Sequence, residues 1–78
     1  MNHPLIAPEA RLGNDIARQF AHLPAAEASA AIARHIENFW DPRMRRRLEA
    51  LIDAGDDSLD PLLVEASYRL RGPFPAGT

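Results

Sequence analysis

The sequence predicts an all-α protein, a small bundle of three to four short helices, on three observations. Apolar residues recur at spacings of three and four, which is the pattern of an amphipathic helix. Prolines stand where those stretches begin, and proline is well tolerated at the first position of a helix. The sequence contains no run of alternating β-branched residues, which would be typical of a strand. The four prolines in question are Pro8, Pro24, Pro42 and Pro61.

The length of the chain limits its stability. A domain of 78 residues buries only about 60% of the surface that its unfolded chain exposes. Of its 36 hydrophobic residues, 14 are alanine, so 22 larger side chains form the core. A core of this size favours a domain that gains stability from a partner.

The first helix is predicted over residues 9–22. Leu12, Ile16, Phe20 and Leu23 follow one another at spacings of four, four and three, and so share one face. Gly13 lowers helix propensity by about 1 kcal/mol relative to alanine. Asn14 offers an alternative beginning, as the N-cap of a shorter helix.

The second helix follows Pro24 and ends near Trp40, because the Asp41-Pro42 pair disfavours a continued helix. Its apolar stripe predicts that Phe39, at the stripe centre, lies in the core. Trp40 lies about 80° from the stripe and is predicted to be shared between the core and a partner. The stripe consists of Ala28, Ile32, Ile36 and Phe39.

Two Asp-Pro pairs predict the beginnings of the last two helices. Asp41 caps a third helix over residues 42–54, which ends where Gly55 can adopt a left-handed conformation. Asp60 caps a fourth helix over 61–71, with Leu59 and Val64 placed as a hydrophobic staple. The resulting organisation is a flexible N-terminus at 1–8, a helical domain at 9–71 and a flexible tail at 72–78.

The sequence offers little for catalysis or for holding a cofactor. Without cysteine it has no disulfide and no thiolate metal site of its own, and its histidines lie on separate segments. The acidic loop at residues 56–60 lacks the spacing of a calcium loop. No signal peptide or membrane span is recognisable, so we expect a cytoplasmic protein. From the residues considered above, we expect no catalytic, cofactor-binding or metal-binding residues.

A basic cluster occupies the first turns of the third helix, where the helix dipole disfavours cations. One reading is a solvated charged face, and another is that arginines here pair with carboxylates of a partner protein. Nucleic acid is the least favoured partner, because the net charge is −2 and no aromatic platform accompanies the arginines. The cluster is Arg43, Arg45, Arg46 and Arg47. With the neighbouring tryptophan, it gives the candidate partner-binding residues Trp40, Arg43, Met44 and Arg45.

Several stretches together are similar to one protein family. They are Asn14-Asp15-Ile16-Ala17, Phe20-Ala21-His22-Leu23-Pro24, His35-Ile36-Glu37-Asn38-Phe39-Trp40-Asp41-Pro42-Arg43-Met44-Arg45 and Leu59-Asp60-Pro61-Leu62. Over about residues 12–66 the chain resembles the delta subunit of NAD-dependent, molybdenum-containing formate dehydrogenase. It departs from that family near its start, where Leu12-Gly13-Asn14-Asp15-Ile16 replaces a Met-Ala-Asn-Gln-Ile pattern.

The resemblance implies a small, non-catalytic accessory subunit that supports assembly or stability of a cytoplasmic complex. Its partners would be the catalytic subunit, which holds the molybdenum-pterin centre, and through it the iron-sulfur and flavin subunits. The resemblance assigns no cofactor ligand to the small chain itself. The alternative is a free-standing helical module, either a homo-oligomer or a regulator that binds nucleic acid through its arginines.

Overall fold

The computed structural model describes residues 7–71, and this part of the chain folds into helices without any strand. The four helices are α1 (Pro8–Gln19), α2 (Ala25–Phe39), α3 (Pro42–Asp53) and α4 (Pro61–Arg71). The predicted all-α fold is therefore confirmed. The tail at 72–78 and nearly all of the N-terminal segment 1–8 lie outside the described residues, although Pro8 itself begins α1.

The predicted caps set the beginnings of α3 and α4. A carboxylate oxygen of Asp41 accepts a hydrogen bond from the Met44 backbone N–H at 2.8 Å. Asp60 accepts in the same way from the Leu62 N–H at 2.8 Å. After α3, Gly55 has a φ of 78°, the left-handed conformation that glycine adopts at low cost. These features confirm the capping predictions.

Pro24 differs from the other three helix-initiating prolines. It stands before α2 rather than inside it, with extended backbone, and its carbonyl accepts the first helical hydrogen bond from Ala28 N–H at 2.8 Å. The helix α1 ends at Gln19, before the predicted end at residue 22. The turn that follows contains hydrogen bonds between residues three apart rather than four, such as Leu23 N–H to the Phe20 carbonyl at 3.1 Å.

The face by which α1 packs agrees with the predicted one only in part. Leu12 is 47% exposed, so its assignment to the core face was wrong, although Ile16 is buried as expected. The buried side of α1 also includes Ala10, Gly13 and Ala17, whose small side chains let the other helices come close. A pattern based on bulky residues placed the face too far around the helix, because the residues in contact are small.

The core lies where α2 packs lengthwise against α4, with α1 and α3 completing the bundle. Its fully buried larger side chains come from three helices: Ile32, Ile36, Leu48 and Leu63. Gly13 of α1 faces Leu63 of α4 so closely that a Cβ at position 13 would lie 2.6 Å from a Leu63 methyl carbon. A side chain at position 13 would therefore force Leu63 to move, which favours glycine there despite its low helix propensity.

Polar contacts connect the helices at the edges of this core. The guanidinium Nε of Arg69 donates to Ser29 Oγ at 2.8 Å, which joins the end of α4 to the beginning of α2. Asn14 lies in the middle of α1, so it is not the N-cap of a shorter helix. It donates to the Ser58 carbonyl and accepts from the Asp60 N–H, both at 2.8 Å. One amide thus attaches α1 to the loop between α3 and α4.

Candidate protein-interaction surface

The corner between α2 and α3 contains the predicted partner-binding residues. We call residues 40–45 the α2–α3 corner. Trp40 follows the last residue of α2 in extended backbone, with φ −98° and ψ 141°, while its N–H still bonds to the Ile36 carbonyl at 2.8 Å. This change of backbone direction carries the indole into the core, and Trp40 is 8% exposed. Little of its surface is accessible from outside the domain.

Phe39 is placed opposite to expectation. The prediction that it belongs to the core was wrong, since it is 72% exposed. The physical reason is the change of backbone at the end of α2, which gives the core position to Trp40 and leaves the preceding aromatic ring outside. The Phe39 ring contacts the His35 ring, with centroids 4.8 Å apart and planes tilted by 41°. An exposed aromatic pair therefore borders the corner.

The arginines of α3 divide into two groups. Arg47 pairs with Glu9 of α1, with Nη1 and Oε2 3.6 Å apart, so it has a structural partner. Within residues 7–71, neither Arg43, Arg45 nor Arg46 pairs with a carboxylate. Arg43 and Arg46 are exposed and Arg45 is half-buried. The corner thus presents cationic groups that the described chain does not neutralise.

Met44 completes the set of predicted contact residues. It is half-buried and packs against the edge of the core, beside the cap made by Asp41. The four predicted residues therefore occupy one junction, but they are presented differently. Arg43 is exposed, Met44 and Arg45 are half-buried, and Trp40 is almost entirely buried.

A groove of about 280 Å³ lies between the turn after α1 and one side of α2. Its lining is aromatic and aliphatic apart from an arginine, a histidine and an amide, and it includes no carboxylate. We call it the aromatic groove, formed by Phe20, Ala31, Arg34, His35, Asn38 and Phe39. Arg34 is exposed and, within residues 7–71, has no acidic partner.

A second groove, of about 330 Å³, lies between the beginning of α1 and α3. Its polar groups are Glu9 and Arg47, which already form the ion pair between these helices. Glu9 is buried and stands in the first turn of α1, where the helix dipole favours a negative charge. This groove is therefore explained by the packing of α1 on α3.

Outside the two grooves, titratable groups of the described chain include the acidic loop between α3 and α4. Within the described part of the chain, no three histidine or acidic side chains converge as metal ligands would. In the acidic loop, Asp56 accepts hydrogen bonds from Ser58 Oγ at 2.6 Å and from Ser58 N–H at 2.9 Å. These bonds lower the pKa of the Asp56 carboxyl, and the bond from the Ser58 hydroxyl has the larger effect. Among helices α1 to α4, none is long and apolar enough to cross a membrane.

The fold and its surface define a small all-α protein with an exposed aromatic and cationic junction. A family model described as the NADH-dependent formate dehydrogenase delta subunit, FdsD, matches residues 10–67. Because this match spans well over half of the 78 residues, the chain belongs to the family of formate dehydrogenase delta subunits. The resemblance noted in the sequence is thereby confirmed. Comparisons with curated proteins and with solved structures found no significant match.

The aromatic groove was missed at the level of sequence. A helical wheel places Arg34, His35 and Asn38 on one side of α2, because they follow one another at spacings of one and three residues. That signal was present. The contribution of Phe20 was not predictable, because it depends on the end of α1 at Gln19 and on the turn that follows.

Proposed function

We propose that this chain is a non-catalytic accessory subunit that binds the catalytic subunit of the NADH-dependent formate dehydrogenase. Its contact surface is the α2–α3 corner, with Arg43 and Arg45 as charged anchors and the accessible parts of Trp40 and Met44 beside them. Through the catalytic subunit it associates with the iron-sulfur and flavin subunits in the cytoplasm. Its effect is on assembly or stability of the complex rather than on a chemical step.

The observation that carries this proposal, beyond family membership, is the unpaired charge of the corner. Arginines in the first turns of a helix are opposed by the helix dipole, so local stability does not account for them. Arg43 and Arg45 have no carboxylate partner among residues 7–71. Carboxylates on another protein surface would supply planar, bidentate hydrogen bonds, for which guanidinium groups are well suited.

The small core supports the same proposal. The described core is built from few large side chains and several alanines, so the isolated domain is expected to be only marginally stable. A protein that binds only the folded state raises apparent stability by mass action. Docking on the catalytic subunit would thus stabilise both the small chain and its partner.

The test is co-purification from cells that produce all subunits of the complex. We expect the double variant Arg43→Glu and Arg45→Glu to recover at least about tenfold less catalytic subunit, since two charge-assisted bonds become repulsive. Glutamate near the beginning of α3 is favoured by the helix dipole, so the variant should remain folded. Circular dichroism of the isolated chain would check this.

Arg46→Glu is the matched control, because Arg46 lies on the same helix and is exposed but does not belong to the proposed contact. It should recover the catalytic subunit at nearly the original yield. Equal recovery by all variants would refute the anchor assignment. Failure of even the unmodified chain to associate with any formate dehydrogenase subunit would refute the function. Trp40→Ala is less informative, because loss of a buried indole destabilises the fold by several kcal/mol, about 3–5 in typical cores.

A further inference from the structure

We propose that the aromatic groove is a second docking site, which takes a segment of another formate dehydrogenase subunit carrying an apolar side chain close to a carboxylate. This inference rests on the proposed function, but it concerns a surface to which the arginines of the corner do not belong. The apolar side chain would pack between Phe39 and Phe20. The carboxylate would pair with the Arg34 guanidinium at the rim.

The exposure of Phe39 is the first observation. A phenylalanine that is 72% exposed leaves most of its apolar surface in water, and here it lies on the stripe that otherwise forms the core side of α2. Phe20 is half-buried across the groove, and His35 packs against the Phe39 ring. Together they form an apolar depression that a single inserted side chain would cover. Aromatic residues in such pockets are typical centres of binding energy.

The charge of the groove is the second observation, and it indicates the occupant. Among its lining residues Arg34 carries the formal charge, and no Asp or Glu lines the groove to balance it. Arg34 also has no acidic partner elsewhere in residues 7–71. The exposed amide of Asn38 adds a donor and an acceptor on the same side. A carboxylate next to an apolar side chain is complementary to this combination.

A second copy of this chain fits the groove less well. In a two-fold symmetric contact the same patch faces itself, so two Arg34 side chains would approach each other without a carboxylate between them. Like charges that face each other across an interface are unfavourable. A polyanion such as nucleic acid is opposed by the net charge of −2. A protein segment with its own acidic residue remains as the occupant that matches both observations.

Photo-crosslinking in the whole complex tests the occupant. The photoreactive residue p-benzoylphenylalanine would replace Phe39 in the full chain, co-produced with all other subunits, and irradiation would be followed by peptide mapping. We expect an adduct on one formate dehydrogenase subunit, in a segment with Asp or Glu within about four residues. The same probe in place of Leu12, which is 47% exposed on α1, should yield at least about tenfold less adduct.

Binding measurements with the purified partner subunits test the energetics. Phe39→Ser should weaken affinity about 30-fold, as expected for a central aromatic anchor, and Arg34→Glu about tenfold. Arg11→Glu makes the same charge change at an exposed position outside the groove and should stay within about twofold. Because Phe39 and Arg34 are exposed, both variants should keep the unfolding midpoint of the original chain.

The outcomes separate this inference from the proposed function. If the chain joins the complex but the two groove variants bind as well as the Arg11 control, the groove inference is overturned and the corner proposal stands. An adduct on a second copy of the chain, on a segment without an acidic residue, or equally from both probe positions would also overturn it. If the unmodified chain joins no formate dehydrogenase subunit, both proposals fall together.

Discussion

At the scale of single residues, the adjacent aromatic rings at the end of α2 have opposite environments. Phe39 is 72% exposed and Trp40 is 8% exposed, although periodicity alone assigns the core position to the former. The difference arises from one backbone change, from helical to extended, at Trp40. Hydrophobic periodicity predicts side-chain positions only while the helix continues. The last residue of a helix is therefore the least predictable from its spacing.

The Asp56–Ser58 turn gives a testable pH dependence at the same scale. Ser58→Ala removes the hydroxyl donor but keeps the backbone N–H donor, so the pKa of Asp56 should rise toward its ordinary value without reaching it. A carboxyl with a lowered folded-state pKa stabilises the fold above its unfolded pKa, and this contribution disappears as pH falls through the folded pKa. The variant should accordingly lose stability at neutral pH and approach the original chain in acid.

Carboxyl chemical shifts in an NMR titration would measure the pKa of Asp56 directly. Ser58→Thr keeps a hydroxyl at the same position and should preserve the low pKa. An unchanged Asp56 titration in Ser58→Ala would contradict the assignment of the hydroxyl as the main cause.

At the scale of helices, α1 and α4 come close together at Gly13. Helix propensity alone would make Gly13→Ala favourable by about 1 kcal/mol. The added Cβ, however, would lie 2.6 Å and 2.9 Å from the two methyl carbons of Leu63, a fully buried residue that has little room to move. Overpacking of this kind costs about 1–3 kcal/mol. We therefore expect a net loss of about 1 kcal/mol in the free energy of unfolding.

The background variant Leu63→Ala distinguishes packing from propensity. Removal of the leucine methyls opens space opposite position 13, so Gly13→Ala should be neutral or stabilising, by up to about 1 kcal/mol, when both changes are combined. Urea denaturation of the original chain, the two single variants and the double variant measures the effect as a double-mutant cycle. Destabilisation by Gly13→Ala of the same size in both backgrounds would exclude Leu63 as the cause.

The helix boundaries were more predictable than the faces by which the helices pack. Asp41, Pro42, Gly55 and Asp60 act through local hydrogen bonds and backbone preferences, which the sequence displays directly. The buried face of α1 depends on how near another helix comes, and small residues such as Gly13 become contacts only after that approach. Apolar spacing therefore identified α1 but placed Leu12 on the wrong side.

At the scale of the whole molecule, α1 is joined to distant parts of the chain by a few polar contacts. The Asn14 amide bonds to two backbone groups of the α3–α4 loop, and Glu9 pairs with Arg47 of α3. Asn14→Ala would remove both amide bonds and leave the half-buried Asp60 N–H without this acceptor. We expect a loss of about 1–2 kcal/mol in the free energy of unfolding.

Chemical denaturation and amide hydrogen exchange would test this contribution. The exchange of the Asp60 N–H should accelerate in Asn14→Ala, because that N–H donates to Asn14 in the folded chain. Asn38→Ala is the control, since Asn38 is exposed and makes no side-chain hydrogen bond among residues 7–71. It should change stability by less than about 0.5 kcal/mol.

The arrangement of the whole bundle was the least accessible from sequence. The motif from His35 to Arg45 identified the family, and the family model confirms it. The tie from Asn14 to Ser58 and Asp60 joins residues more than 40 positions apart, and no local pattern indicates it. The aromatic groove likewise requires Phe20 from one segment and Phe39 from another. Such long-range pairs arise from tertiary packing rather than from propensity.

The inward position of Trp40 has an optical consequence. It is the chain's only tryptophan, so all indole fluorescence comes from this one site next to the α2–α3 corner. An indole shielded from water emits at shorter wavelengths than one in contact with water, and unfolding should therefore shift the emission to the red. The protein thus contains its own unlabelled reporter, whose colour and intensity respond to loss of structure and to occupation of the adjacent surface.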